Sequence, residues 1–186
     1  MLDNLVAIIF AGGRSSRMGT DKSLLAFRDK SSMAQFQYDK LNSIFSKVYI
    51  SAKSDKFDFN PPLIVDIYPQ SSPLVAIISI FETLKIDEAF ILSVDTPFVD
   101  RDIIEKLYRY NDNSKDIIVA KTQDGIQPLC GIYKKSILKN AKEYLEKDIH
   151  KLTYLIKNSN TTFVEFEDES KFANLNYRED YLKALI

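Results

Sequence analysis

The sequence predicts an α/β fold: a doubly wound, mostly parallel sheet with helices on both faces, forming a single domain over residues 1–186. Three observations lead there. Short apolar runs rich in branched residues alternate with stretches of helical period. The first run ends in a glycine-rich loop, at the kind of strand end where α/β sheets keep their ligand sites. And 186 residues with 45% hydrophobic and 27% charged side chains suit one globular unit with a sizeable core.

Leu5-Val6-Ala7-Ile8-Ile9-Phe10 is apolar at every position, as a strand covered on both faces must be. Ala11 to Lys22 holds three of the five glycines and shows no period, which makes it a loop. Met33, Phe36, Leu41, Ile44 and Phe45 recur at helical spacing and lead into a second strand, Val48 to Ala52. Pro61-Pro62 breaks the chain before a short strand, Leu63-Ile64-Val65-Asp66. Pro73 stands where a helix can begin, with Leu74, Ile77, Ile78, Phe81 and Leu84 on one face behind it. Ala89 to Asp95 is the next buried strand, and Asp100 is placed to cap a helix running to about Tyr110. Strand Ile117 to Ala120, a turn at Asp124-Gly125 and the run Leu129 to Tyr133 follow, and Ser136 is placed to cap another helix. A helical stretch at Leu152 to Ile156, strand Thr161 to Phe166 and a helix from about Arg178 complete the pattern. There is no internal repeat, linker or low-complexity tract.

Lys and Arg number 25 against 26 Asp and Glu, a formal charge of −1. That balance argues against nucleic acid and against a polybasic membrane anchor. Cys130 is the only cysteine and His150 the only histidine, which excludes an internal disulfide, a Cys/His zinc cluster and any mechanism needing two histidines. The N-terminus lacks the basic region of a secretory signal, and no stretch approaches the roughly 20 apolar residues of a membrane span. A cytoplasmic protein is the expectation.

Three features fall at strand ends: the glycine loop, Asp66 and Asp95. The loop is neither a dinucleotide fingerprint nor a Walker loop, because Gly12-Gly13 and Gly19 have the wrong spacing for both. It offers backbone N–H groups together with Arg14, Arg17 and Lys22, a combination that favours a polyphosphate. The competing reading is a solvated surface turn; the position after a buried strand favours the phosphate. Asp95, ahead of Thr96-Pro97, reads as a Mg²⁺ ligand or as an Asx turn or helix cap, and the neighbouring loop favours the metal. Asp66 carries less, since an acid ending a strand is often merely solvated. Asn176 reads as a cap for the last helix, Cys130 as core, and His150 as part of a solvated charged segment. Tyr108, Tyr110, Tyr144 and Tyr181 read as packing residues.

The run from Phe10 to Leu25 resembles the (L/F)AGG-x-x-x-RMG-x-DK-x-L signature of nucleotidyltransferases, and is most like that of the molybdenum cofactor guanylyltransferases, the MobA family. Ser72-Pro73-Leu74-Val75-Ala76-Ile77 resembles the family's GPLAGI, Asp95-Thr96-Pro97-Phe98 its DTPF, and Asn174 to Asp180 its NLNTPED. The resemblance implies a Rossmann-like nucleotidyltransferase fold. It implies transfer of GMP from GTP to the terminal phosphate of molybdopterin, bearing molybdenum, with pyrophosphate released. Phe10, Ala11, Gly12, Gly13, Ser51 and Asp66 are implied GTP contacts; Lys22 would meet the phosphates, Arg17 falls on the motif arginine, and Asp95 would hold Mg²⁺. Asn176 matches an asparagine near the metal and pterin. Transient contact with molybdoenzymes or their chaperones follows as well. The chain departs from the pattern at Ser72 and Ala76, which replace glycines, at Tyr177-Arg178, at Gln127-Pro128 and around Lys147 to His150. The alternatives are a nucleotidyltransferase using CTP or a sugar-phosphate acceptor, and a non-catalytic nucleotide-binding adaptor for molybdoenzymes.

Overall fold

The computed structural model describes residues 2, 4–12 and 21–185. Seven strands make one sheet: β1 (Val6–Phe10), β2 (Lys47–Ala52), β3 (Leu63–Val65), β4 (Glu88–Ser93), β5 (Ile117–Thr122), β6 (Gly125–Lys134) and β7 (Thr161–Glu165). Their spatial order is β3-β2-β1-β4-β6-β5-β7. Neighbours run parallel except β6, which is antiparallel to both β4 and β5. The helices are α1 (Met33–Asn42), α2 (Pro73–Leu84), α3 (Arg101–Arg109), α4 (Leu138–Glu146), α5 (Leu152–Lys157) and α6 (Arg178–Lys183). No helix among the described residues is long and apolar enough to cross a membrane.

The alternation of side chains along a strand divides the core between the two faces. Ala7 and Ile9 of β1 pack with Met33 and Leu41 of α1 and with Ile103, Ile104 and Leu107 of α3. Ile8 and Phe10 pack with Leu74, Ile77, Ile78 and Phe81 of α2, with Ala141 of α4 and with Leu155 and Ile156 of α5. Both faces of β1 are therefore covered, which is why its sequence is apolar throughout. From β1 the chain leads through α1 to β2 on one side, while β4 takes the other side after α2. The strand order reverses between β1 and β4, and a crevice opens outside their carboxyl ends.

Helix starts follow local chemistry. Ser72 Oγ accepts from Val75 N and Pro73 opens α2; Ser32 Oγ accepts from Gln35 N at α1; Asp100 accepts from Ile103 N at α3. Ser136 departs from its expected role. It lies in a short 3₁₀ turn, Lys135–Ile137, and donates to Asp116 Oδ1 at 2.6 Å, so α4 begins after it without a side-chain cap. Tyr144 packs edge-on against Tyr154, and Tyr181 lies tilted beside Phe27, but Tyr108 and Tyr110 are exposed at the end of α3. Cys130 is buried, as expected of a core residue.

Gly131 shows how closely β6 lies on β5. A Cβ there would stand 2.5 Å from the backbone oxygen of Ile118 and 3.0 Å from Val119 Cα. Gly131→Ala should therefore destabilise the fold by about 1–3 kcal/mol, measured as a lowered denaturant midpoint with an unchanged slope. An unchanged midpoint would show that the two strands can part at no cost.

Candidate functional site

Continued ladder bonds tie the carboxyl end of β1 to both neighbours: Ala11 N donates to Ser51 O of β2, and Val94 N, just past β4, donates to Phe10 O. Over this junction lies Lys22, in a 3₁₀ turn capped by Asp21, whose carboxylate accepts from Ser23 N and Ser23 Oγ. Lys22 Nζ donates to Asp95 Oδ2 at 3.1 Å and to Asn176 Oδ1 at 2.6 Å. The other oxygen of Asp95 accepts from Ser93 Oγ at 2.6 Å. The Lys22 and Asp95 side chains are only 13% and 19% exposed, so the pair is largely withdrawn from water and strengthened accordingly. Asp95 O also accepts from Leu175 N, which fixes the segment bearing Asn176.

Lys56 closes the base of the glycine loop. Its ammonium donates to Ala11 O at 3.1 Å and to Asp21 Oδ2 at 2.5 Å, linking the described residues on either side of positions 13–20. Burial pushes the Asp21 carboxyl up, but the bonds from Lys56 and Ser23 more than offset it, and the group sits below its ordinary value. Gly13 and Arg17, both expected in the site, lie outside the described residues.

Three cavities share their walls here. One of about 540 Å³ is lined by Phe10, Gly12, Ser51, Asp66, Ser72 and Ala76 among others. A small polar one of about 230 Å³ is bounded by Ala11, Gly12, Lys22, Asp95 and Asn176. A third, of about 560 Å³, runs from Asp95 and Asn176 to Gln127, Pro128, His150 and Lys151. Thus Phe10, Ala11, Gly12, Lys22, Ser51, Asp66, Asp95 and Asn176 all border one connected cleft.

Several local readings give way to tertiary ones. Asn176 does not cap α6: Tyr177 is the N-cap, its N–H donates to Asp180, and the Asn176 amide oxygen turns to Lys22 instead. Asp95 caps no helix either, since Asp100 does that work. His150 is half-buried rather than solvated, its Nδ1 3.2 Å from Ser72 Oγ and its Nε2 2.8 Å from Asp148 Oδ1. Lys56 and His150 were not legible as site residues, because they take part through Asp21 and Ser72, 35 and 78 residues away; Ser93 was missed although its partner Asp95 is two positions on, because a serine ending an apolar strand carries no signal of its own.

Hard oxygen donors from Asp95, Ser93 and Asn176 converge on the polar cavity. Among the described residues there is no group of three or more His, Cys, Asp or Glu arranged to hold a metal. One carboxylate with neutral oxygens suits an ion that keeps water and takes phosphate ligands from a substrate, which is the habit of Mg²⁺. Asp66 Oδ1 is buried and has no hydrogen-bond partner. Burial pushes its carboxyl above the ordinary value, with Lys53 opposing.

Residues 7–162 match the family model of the MobA-like NTP transferase domain. The chain is 42% identical over 184 residues to the molybdenum cofactor guanylyltransferase of Campylobacter jejuni, covering 98% of this chain and 96% of that one. It is 32% identical to the molybdenum cofactor guanylyltransferase of Helicobacter pylori, covering 97% and 92%. Among solved structures, molybdopterin-guanine dinucleotide biosynthesis protein A of Archaeoglobus fulgidus superposes with a TM-score of 0.82 over 97% of each chain; at 16% identity this shows a shared fold.

Asp66 carries a stability cost whose sign is fixed. A carboxyl raised in the folded state binds more protons folded than unfolded between its ordinary and raised values, so stability falls as pH rises through that window. Asp66→Asn should remove that fall, so the variant's melting temperature relative to the parent should gain more at about pH 7 than at about pH 3.5. A difference independent of pH, read by calorimetry, would mean that burial does not strain this group.

Proposed function

Since the chain belongs to the MobA-like NTP transferase family, we propose that it transfers GMP from GTP to the terminal phosphate of molybdopterin bearing molybdenum. Pyrophosphate is released and the guanine dinucleotide form of the cofactor results. The observation that carries this reading is Lys22, bonded to both Asp95 and Asn176 in the small polar cavity, which shares Phe10 and Gly12 with a nucleoside-sized cavity and Asp95 and Asn176 with the wider one.

The nucleoside lies between Phe10, Ser51 and Asp66, where the Asp66 carboxylate in the cavity wall accepts from a donor-rich edge. Guanine presents two adjacent donors, N1–H and the N2 amine, and a carboxylate matches such a pair. The triphosphate runs past Gly12, where a side chain would meet nothing within 4 Å, and reaches Lys22. Lys22 then exchanges its carboxylate and amide partners for phosphate oxygens, which frees the oxygens of Asp95 and Asn176. Those oxygens, with Ser93, would hold Mg²⁺, which when bound supplies neutralisation of phosphate charge. Arg17, by motif, adds a further cation.

The acceptor occupies the wider cavity, beneath Gln127-Pro128 and beside His150 and Lys151. Its phosphate monoester has a second pKa near ~6 and is largely dianionic at neutral pH, so it needs no strong base to attack. The protein's task is alignment of attacker and α-phosphorus, and neutralisation of the charge that develops. Attack is direct and in line, with no covalent enzyme intermediate. On this reading the enzyme works in the cytoplasm and passes its product on through brief contact with molybdoenzymes or their chaperones.

Incubation with molybdopterin, Mg²⁺ and either GTP or CTP, scored for dinucleotide by mass spectrometry, tests the proposal; product with GTP alone is expected. Product with CTP alone would overturn the base assignment. Exchange of labelled pyrophosphate into GTP without acceptor would overturn direct attack. Asp95→Asn should lower kcat by about a hundredfold or more with the circular dichroism unchanged. Lys22→Met should weaken GTP binding by about tenfold or more, since bonds to a charged partner contribute on the order of 1.5–3 kcal/mol. Near-parent values in either variant would remove that residue from its role.

A further inference from the structure

Gln37 lies on α1, on the far side of the Asp95 loop from the cleft, and it is fully buried. Its side-chain Nε2 is 3.1 Å from Ser93 O, 3.4 Å from Val94 O and 3.0 Å from Thr96 O, partners 56 to 59 residues away. These carbonyls belong to the last residue of β4 and the stretch just beyond it, where the sheet ladder gives out after the bond from Val94 N to Phe10 O. One turn further along α1, Lys40 Nζ continues the series with bonds to Pro97 O at 2.9 Å and Val99 O at 2.7 Å. Two side chains of one helix thus grip five carbonyls of the loop that carries Asp95.

Folding alone gives a poor account of Gln37. Its Oε1 is buried without a hydrogen-bond partner, a cost that an apolar side chain of the same length would avoid. The amide cannot turn over to relieve that oxygen, because it would then face three carbonyl oxygens. What the amide supplies is the conformation of the peptides on either side of Asp95. Those peptides direct the Asp95 side chain to Lys22 and the Asp95 carbonyl to Leu175 N, and hence place Asn176.

We propose that Gln37 is a positioning residue for the reaction, whose buried amide holds the Ser93–Thr96 loop in the shape that presents Asp95 to Lys22 and to the cleft. This rests on the function proposed above. Gln37 touches no substrate and acts only through the loop, as supporting groups do behind catalytic carboxylates.

Gln37→Met, close in length and lacking the donors, tests the assignment, with Gln37→Leu as a second variant should methionine pack poorly. Both are measured well below their melting temperatures. The expected result is a kcat lowered by about 10–100-fold with KM for GTP within about threefold of the parent. Faster amide hydrogen exchange across residues 93–99 and weaker Mn²⁺ binding, read by electron paramagnetic resonance without substrates, should accompany it. A folded variant with kcat within about twofold of the parent overturns the proposal, whatever its stability, as does a loss confined to KM. If the parent itself forms no guanine dinucleotide, the proposed function fails, and exchange and Mn²⁺ binding still decide the clamp: unchanged values in the variant overturn it.

Discussion

One ammonium group organises this rim of the sheet. Lys22 is bonded to Asp95, 73 residues away, and to Asn176, 154 residues away, so a single cation joins three segments far apart in sequence, two of which the Leu175 N to Asp95 O bond also ties together. Because the Lys22–Asp95 pair is largely screened from water, neither charge is tolerable without the other or a substitute for it. A polyphosphate with its metal is such a substitute for both at once: the anion replaces Asp95 beside Lys22, and the cation replaces Lys22 beside Asp95. On the proposed function the ion pair would hold the site in shape between turnovers and be displaced by the same chemistry that the site receives.

The sheet explains why these residues can meet at all. With β1 between β2 and β4 and the helices that follow β1 and β3 on opposite faces, the loops after β1 and β4 diverge and leave a crevice. One side of the cleft then falls to β2 and β3, through Ser51 and Asp66, and on the proposed function that side takes the nucleoside. The other side depends on the one reversed strand. Because β6 runs against β4, with Cys130 opposite Leu92, it is the beginning of β6 that reaches the rim where the parallel strands end. The register between β5 and β6 shifts there, from Val119 opposite Gly131 to Ala120 opposite Gln127. Pro128, which has no N–H for a ladder, sits in that irregularity and forms part of the wider cavity's wall.

The inner strands were legible because burial writes itself as an apolar run; β3 and β7 at the sheet edges are only partly buried and stood out as short runs of strand-favouring residues, and β6 begins at Gly125, ahead of the run Leu129 to Tyr133 that marked it. The direction of β6 was not legible, since an apolar run reads the same in either direction, although the turn at Asp124-Gly125, with Gly125 at φ 126°, is the short connection an antiparallel pair needs. Within the site, Lys22, Asp66 and Asp95 were legible as charges at strand ends. Asn176 and Ser136 misled in the same way: each is a residue type with a ready local use at a helix start, and each is taken by a distant partner instead. Gln37 did leave a trace. It stands four residues from Met33 and four from Leu41, in the middle of the apolar stripe of α1, and a polar residue in such a stripe needs an explanation that helical period cannot supply.

That explanation extends to the pattern of dissatisfaction in the core. Among the described residues, three buried side-chain atoms lack a hydrogen-bond partner: Gln37 Oε1, Asp66 Oδ1 and Asn111 Oδ1. Two of the three stand against the cleft, one behind its carboxylate and one in its nucleoside wall. Selection for stability alone would replace both with apolar or shorter side chains, since each orphaned acceptor opposes folding and neither position needs a polar group to close its strand or helix. The two costs differ in kind. Asp66 stands in a cavity wall, so on the proposed function a bound base can repay the cost of its carboxylate; the Gln37 oxygen is sealed inside with its whole side chain, and only the contacts made by the same amide's nitrogen offset it. A polar side chain in a cavity wall is explained by what enters the cavity, whereas one sealed behind a loop is explained by what its other end holds in place.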